Sequence, residues 1–287
     1  MRIHHLICGT MCPLARRLVN GDGSLFARGK MVCHVLLVEG AQGLTLIDSG
    51  YGLADVRAPA QRLGRPFLAM TGARLREDET AVRQVEKLGF SARDVRHIVV
   101  PHLDLDHAGG FSDFPEAEVH VFRPEHEAAM HPAPGFERQR YKAVQFAHGP
   151  RWNLHDVAGD KLLGFQAVRA VGDEVYLVPL LGHTRGHSLV AVRDGDRWLL
   201  HCGDAYFFHG EMAEKFRCPP GLAVFQKLVA WNDKLRRANQ ARLRELVRSN
   251  PREVVAFSAH DPVELEALQQ ASMAKAAGPR IQSAAGP

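Results

Sequence analysis

Six consecutive residues, His102-Leu103-Asp104-Leu105-Asp106-His107, hold two imidazoles and two carboxylates separated by apolar spacers. Carboxylates crowded into a partly buried loop repel one another, and a divalent cation removes that conflict. The chemistry this segment suits is therefore metal binding and, where a coordination position stays open, metal-assisted hydrolysis. Ala108-Gly109-Gly110 follows and leaves backbone room for a close approach. A competing reading is a solvated loop in which Asp106 caps a helix. It loses ground because further donors stand at the ends of other strand-like runs. They are His187 in Gly182-His183-Thr184-Arg185-Gly186-His187-Ser188, Asp204 in Cys202-Gly203-Asp204, and His260 in Ser258-Ala259-His260-Asp261.

The elements that must position these groups can be read in outline. Met31–Glu39 and Leu44–Ile47 form a hairpin around Gly40-Ala41-Gln42-Gly43, and the second run stops at the turn-forming Asp48-Ser49-Gly50. Helical spacing over Glu77–Leu88 precedes a strand at Val95–Val100, which runs directly into the His/Asp segment. A strand over Val119–Phe122 leads to a stretch with aromatic residues, Pro124–Trp152. Strands are then expected at Leu162–Val171, Val175–Leu181, Ser188–Arg193 and Trp198–Cys202. Two helices fill Leu222–Ser249, a last strand covers Val254–Phe257, and a last helix covers Val263–Ala277. This order predicts one α/β domain spanning residues 1–287, with two β-rich halves between outer helices: a four-layer αββα sandwich. The small, polar tail Gly278–Pro287 is expected to be flexible.

The order of the motifs resembles that of the metallo-β-lactamase superfamily, including glyoxalase II and the acyl-homoserine lactonases. An Asp-Thr-Gly-like turn corresponds to Asp48-Ser49-Gly50. His-x-His-x-Asp-His, Gly-His-Thr-x-Gly-His, Gly-Asp and a late His then follow in sequence, over residues 33 to 262. The resemblance implies two divalent metal ions, one held by His102, Asp104 and His187 and the other by Asp106, His107 and His260, with Asp204 bridging them. Asp48 resembles the family's orienting aspartate, and His183 is expected to support His187 rather than bind metal. Implied activity is hydrolysis of an ester, thioester or lactone carbonyl by metal-activated hydroxide, with Asp106 moving a proton and Tyr206 donating to the developing oxyanion.

One member departs from the pattern. Asp104 stands where the family has its second His, which makes the first site harder and more negative. Zinc is the first expectation, with iron or manganese as alternatives. The flavodiiron branch of the superfamily places Glu at the corresponding position and binds iron, so an iron-dependent oxidoreductase and a non-catalytic metal-binding member remain rivals to the hydrolase.

Composition narrows the partners. A net charge of +4 and 24% charged residues are ordinary for a soluble protein. The basic run Lys234, Arg236, Arg237, Arg242, Arg244 and Arg248 reads as a solvated helical face, so no nucleic-acid partner is expected. No apolar stretch is long enough for a signal peptide or a membrane span, and five scattered cysteines suit reduced thiols. The expectation is a cytoplasmic enzyme with a small-molecule substrate and no membrane partner. Its oligomeric state is left open, a homodimer included. The aromatic stretch Pro124–Trp152 suits the wall of a site for an apolar acyl group, which makes an acyl-homoserine lactonase-like activity the leading specific expectation.

Overall fold

The computed structural model describes residues 1–277; the expected flexible tail lies outside them. Among the described residues there are thirteen strands and ten α-helices. The strands are β1 (Arg2–Met11), β2 (Met31–Gly40), β3 (Gly43–Ile47), β4 (Val95–Val99), β5 (Glu118–Phe122), β6 (Arg151–His155), β7 (Lys161–Leu162), β8 (Phe165–Gln166), β9 (Val168–Val171), β10 (Val175–Pro179), β11 (Ser188–Asp194), β12 (Arg197–His201) and β13 (Val254–Phe257). The helices are α1 (Arg16–Val19), α2 (Leu53–Arg57), α3 (Pro59–Arg62), α4 (Arg65–Thr71), α5 (Ala81–Lys87), α6 (Arg123–Met130), α7 (Phe136–Arg140), α8 (Pro220–Val229), α9 (Asp233–Ser249) and α10 (Pro262–Ala277).

Strands β1 to β6 lie side by side in one sheet, and β13-β12-β11-β10-β9 form the second. The inner faces meet through Leu36, Val38, Ile47 and Val99 on one side and Leu177, Val190, Val192, Leu199 and Phe257 on the other. Alternation along β4 shows why helices cover the outside. Val99 points into this central layer, whereas Ile98 packs outward with Val82 and Val85 of α5 and Ala128 of α6. The second sheet is covered in the same way, with Leu189, Ala191, Leu200 and Val254 packing against Leu243 of α9. The expected αββα layering is present. In α9, Arg236, Asn239, Gln240 and Leu243 form the buried stripe, and Asn232 caps the helix by accepting from the Leu235 N–H at 3.0 Å.

Some elements differ from the sequence reading, each for a local reason. The expected strand Leu162–Val171 is broken into the β7–β8 hairpin and β9, because Leu163 and Gly164 both take positive φ, 52° and 80°. The expected helix over Glu77–Leu88 becomes a 3-10 turn at Glu77–Glu79 and then α5, since Thr80 is extended at ψ 146°. Two strands carried no clear signal. β1 pairs along β2, and the polar edge strand β6 is ordered by pairing with β5.

Strands β3 to β6 run parallel to one another, so the ends of β3 and β4 open on the same side. That end of a parallel sheet is where ligand-binding loops collect. The chain places Asp48 just after β3 and His102–His107 just after β4.

Candidate metal centre

Asp204, only 4% exposed, stands at the middle of the site, and its two oxygens face different neighbours. Oδ2 lies 3.2 Å from His183 Nε2 and 3.7 Å from His102 Nε2. Oδ1 lies 2.9 Å from His260 Nε2 and 3.3 Å from His107 Nε2. Asp104 joins the first group, with Oδ2 at 3.1 Å from His183 and 3.5 Å from His102. Asp106 joins the second, 3.7 Å from His260 and 3.9 Å from His107. The buried thiol of Cys33 lies beside Asp106 and His260, a neighbour that the motif pattern did not suggest.

Ring orientation follows from what holds the other nitrogen. His107 Nδ1 donates to Asp48 Oδ2 at 2.5 Å, and His260 Nδ1 donates to the Val32 carbonyl at 2.8 Å. With Nδ1 held in this way, each ring turns Nε2 toward Asp204 Oδ1, a close pairing that needs a proton or a cation between the two atoms. Asp48 is held for this task by a tight turn: it has φ 71°, and its Oδ1 accepts from the Ser49 N–H at 2.6 Å. The expected orienting role of Asp48 is thus visible in its contacts. Gly109 serves the packing of that turn, since a Cβ there would run into Asp55 Oδ2 and lie 2.8 Å from the Gly50 carbonyl.

Two expectations are corrected. His187 does not face the centre. Its Nδ1 donates to the Leu180 carbonyl and its Nε2 accepts from the Asp204 N–H, both at 3.0 Å, so neither ring nitrogen is free. The ring four residues earlier, His183, occupies that place. His187 adjoins β11, where backbone groups are dense; His183 sits in the loop, and its carbonyl accepts from the Trp231 N–H at 2.9 Å. Tyr206 is the second correction. Fully buried, it donates its hydroxyl to Glu264 Oε1 at 2.9 Å and offers nothing to an oxyanion.

Arg140, at the end of α7, is a participant the motifs did not reveal. Its Nε is 3.0 Å from Asp104 Oδ1, and it also donates to the His183 and Val229 carbonyls at 2.9 and 2.7 Å. Glu125, fully buried on α6, accepts from the Leu103 N–H at 2.9 Å and the Gly186 N–H at 3.1 Å, tying the two ligand loops together. Gly186 permits this, because a Cβ there would run into the Glu125 backbone nitrogen.

Charge decides what the arrangement can hold. Burial raises carboxyl pKa values, yet the surrounding imidazoles override it for Asp204 and hold it well below the usual range. Burial also opposes ionisation of Asp104, and Arg140 with His102 pulls it well below. Asp106 is raised by burial. Burial would lower His107, but Asp48, Asp204 and Asp106 raise it well above the ordinary value. Three carboxylates with one guanidinium draw positive charge into the pocket, and against burial Asp204 and Asp106 raise His260 as well. His102 Nε2 and His107 Nε2 are buried without a hydrogen-bond partner. A donor set of imidazole nitrogens and carboxylate oxygens fits divalent cations of the zinc, iron or manganese type.

Above this cluster opens a cavity of ≈ 560 Å³. Its walls are apolar, from Met11, Leu18, Phe67, Phe136, Leu222 and Phe225, and Asp104, Asp106, His183, Asp204 and His260 reach it at the base. The expected wall segment Pro124–Trp152 contributes only in part. Phe136 and Arg140 line the cavity, whereas Tyr141 and Phe146 belong to the packed layer under α5 and α6, and Trp152 packs at its edge.

Of the basic run on α9, Arg236 is buried against Asp233 and Gln226, and Arg244 donates to the Ala213 and Glu214 carbonyls. Among the described residues, no helix is long and apolar enough to cross a membrane.

Comparison with known proteins bears on the family and the fold. A probable metallo-hydrolase of Mycobacterium tuberculosis is 42% identical over 265 residues, covering 91% of this chain and 81% of that protein. The N-acyl homoserine lactonase AttM of Rhizobium johnstonii is 32% identical over 192 residues, 63% of this chain and 72% of that enzyme. A solved N-acyl homoserine lactone hydrolase, with the product N-hexanoyl-L-homoserine bound at its catalytic metal centre, shares the fold at TM-score 0.69 and 20% identity, over 93% of this chain and 95% of that one. The model of the metallo-beta-lactamase superfamily matches residues 28–257, and the chain belongs to that superfamily.

Proposed function

We propose that this chain is a dinuclear metal-dependent hydrolase that opens the carbonyl of a lactone or related ester carrying an apolar acyl group. The observation that carries the reading is the division of Asp204, whose two oxygens face two separate sets of donors. His102, Asp104 and His183 would hold one ion, and Asp106, His107 and His260 the other, with Asp204 shared. Bound there, such ions would supply Lewis acidity, enough to bring the pKa of a water to about 7 and to polarise a carbonyl.

The residues of the chain do the rest. Asp106, raised by burial and open to the cavity, takes up and returns a proton at its carboxylate. Asp48 and Val32 keep the rings of His107 and His260 in the orientation that leaves Nε2 toward the centre. Arg140 balances the carboxylate that replaces an imidazole at Asp104, so the extra negative charge does not accumulate at the base of the cavity. The apolar walls exclude water around an acyl chain and favour longer ones. The relatives named as N-acyl homoserine lactonases support the lactone class, and a neighbouring structure described as a dizinc quorum-quenching lactonase supports two zinc ions.

Elemental analysis of freshly purified protein, with turnover of lactones, thioesters and aryl esters of graded acyl length, tests this reading. Two metals per chain are expected, with kcat/KM rising by up to about fourfold per added methylene while the chain fills the cavity. Two metals without turnover of any ester would overturn the hydrolase. Iron with oxygen consumption in its place would establish the oxidoreductase.

A further inference from the structure

A second set of imidazoles lies away from the cavity, across three neighbouring strands. His97 of β4 pairs in register with Glu118 of β5, Val99 pairs with His120, and Phe122 pairs with His155 of β6. Alternation therefore places His97, Glu118, His120 and His155 on one face of the sheet. His97 Nδ1 lies 2.9 Å from His120 Nε2. On its other side, His120 Nδ1 lies 3.0 Å from His155 Nε2, with those two rings stacked at 5.2 Å and 19°. A Glu118 carboxylate oxygen lies within 4.8 Å of a ring nitrogen of His97 and of His120. That carboxylate is only loosely engaged elsewhere, 3.5 Å from Arg151 and 3.4 Å from Asn153.

We propose that His97, Glu118 and His120 form a further metal site, separate from the catalytic centre, for a divalent transition-metal cation such as Zn²⁺, Ni²⁺ or Cu²⁺. Two imidazole nitrogens and one carboxylate oxygen form a donor set for these ions. Burial, with His155 and His97 alongside, pushes the His120 pKa down to about 3, so its ring is neutral and able to coordinate throughout the physiological range. His155 then acts as the outer partner, accepting the His120 Nδ1 proton and fixing the tautomer that turns Nε2 toward the ion. The single proton now shared between His97 Nδ1 and His120 Nε2 moves to the His97 Nε2 position when the ion enters. Two Zn–N bonds of about 2.0–2.1 Å in tetrahedral geometry need the nitrogens about 3.3 Å apart, a shift of a few tenths of an ångström.

His97 and Glu118 are partly exposed, which leaves a path in and room for solvent ligands. His97 lies within β4 and His102 beyond its end, and the two clusters share no residue, so the two centres are distinct. An ion here would clamp β4 to β5 and, through His155, brace β6 at the edge of the sheet. Its effect is therefore expected on stability and not on turnover.

The test compares intact wild-type protein with His97→Gln and with Glu118→Gln, positions exposed enough to change without emptying the core. Each protein, first loaded with its catalytic metal, is titrated with Zn²⁺ by calorimetry and melted with and without the ion. Wild type is expected to bind one equivalent more than either variant, whatever the number already held. Zn²⁺ at a hundredfold excess over Kd is expected to raise its Tm by roughly 5 °C, with no rise in the variants and unchanged ester turnover. Equal stoichiometry and equal melting in all three proteins would overturn the site. Because the readout is a difference at positions 97 and 118, it stands or falls independently of the metal count at the catalytic centre.

Discussion

Asp204 and Glu125 are both buried carboxylates touching the same two loops, yet they resolve the cost of burial in opposite ways. Glu125 is surrounded by neutral donors: the Leu103 N–H, the Gly186 N–H and the Tyr141 hydroxyl at 3.0 Å. Its burial raises its pKa, and its oxygens are satisfied by the protein itself. Asp204 faces imidazoles, and those of His107 and His260 use Nδ1 on Asp48 and the Val32 carbonyl, which leaves Nε2 toward Asp204. The first arrangement is complete as folded and serves as a clamp; the second is complete only when positive charge is added. A buried acid satisfied by neutral donors is structure, and one that must draw in positive charge is a candidate binding site.

The comparison can be broken most severely at Asp204. Asp204→Asn and His183→Ala are each expected to lose bound metal and to lower kcat/KM by more than the roughly 10–100-fold typical of an outer partner. His187→Ala should stay within that 10–100-fold range and retain metal, since it orients the Asp204 backbone without facing the centre. Metal content and kinetics on the three variants decide the matter. Equal metal loss in His187→Ala and none in His183→Ala would reverse the assignment.

Glu125→Gln probes the clamp. Its amide must turn an NH₂ toward one of the backbone N–H groups, leaving a buried donor unpaired at a cost of about 1–3 kcal/mol. Denaturant unfolding should show that loss while the metal content is retained. Loss of metal at full stability would place Glu125 within the centre.

The smallest effects belong to the corner formed by Tyr206 and Glu264. Tyr206→Phe should cost about 1 kcal/mol for one hydrogen bond and leave kcat unchanged. Burial, with Asp261 nearby, raises the Glu264 pKa from 4.5 to about 8. The folded protein therefore holds this proton more tightly than the unfolded chain does. The resulting contribution to stability is full below pH 4.5 and is lost as pH rises to about 8. Melting of Glu264→Gln across that window should show a shallower pH dependence than wild type.

Layer order and the positions of the metal-binding loops were legible because they rest on local pattern. Hydrophobic alternation marked β2, β3, β4 and β13, and polar donors clustered just beyond their ends. β1 and β6 were less legible: His4, His5 and the polar run Arg151–His155 have little intrinsic strand character and depend on pairing with partners distant in sequence. The Tyr206 assignment failed for a similar reason. Its proximity to Asp204 in the chain says nothing about Glu264, 58 residues away, which captures the hydroxyl.

The sequence by itself determined which donor types gather at the ends of the strands, in what order, and that a carboxylate replaces one imidazole at Asp104. Side-chain types and short-range spacing are local properties, and they survive any arrangement of the rest of the fold. Only the tertiary structure decided that His183 and not His187 turns toward the centre, that Arg140 answers Asp104, and that the two oxygens of Asp204 face separate groups. A histidine points where its second nitrogen is not already held, and the groups that hold it, the Leu180 carbonyl or the Asp204 N–H for His187, come from elements that only folding brings together.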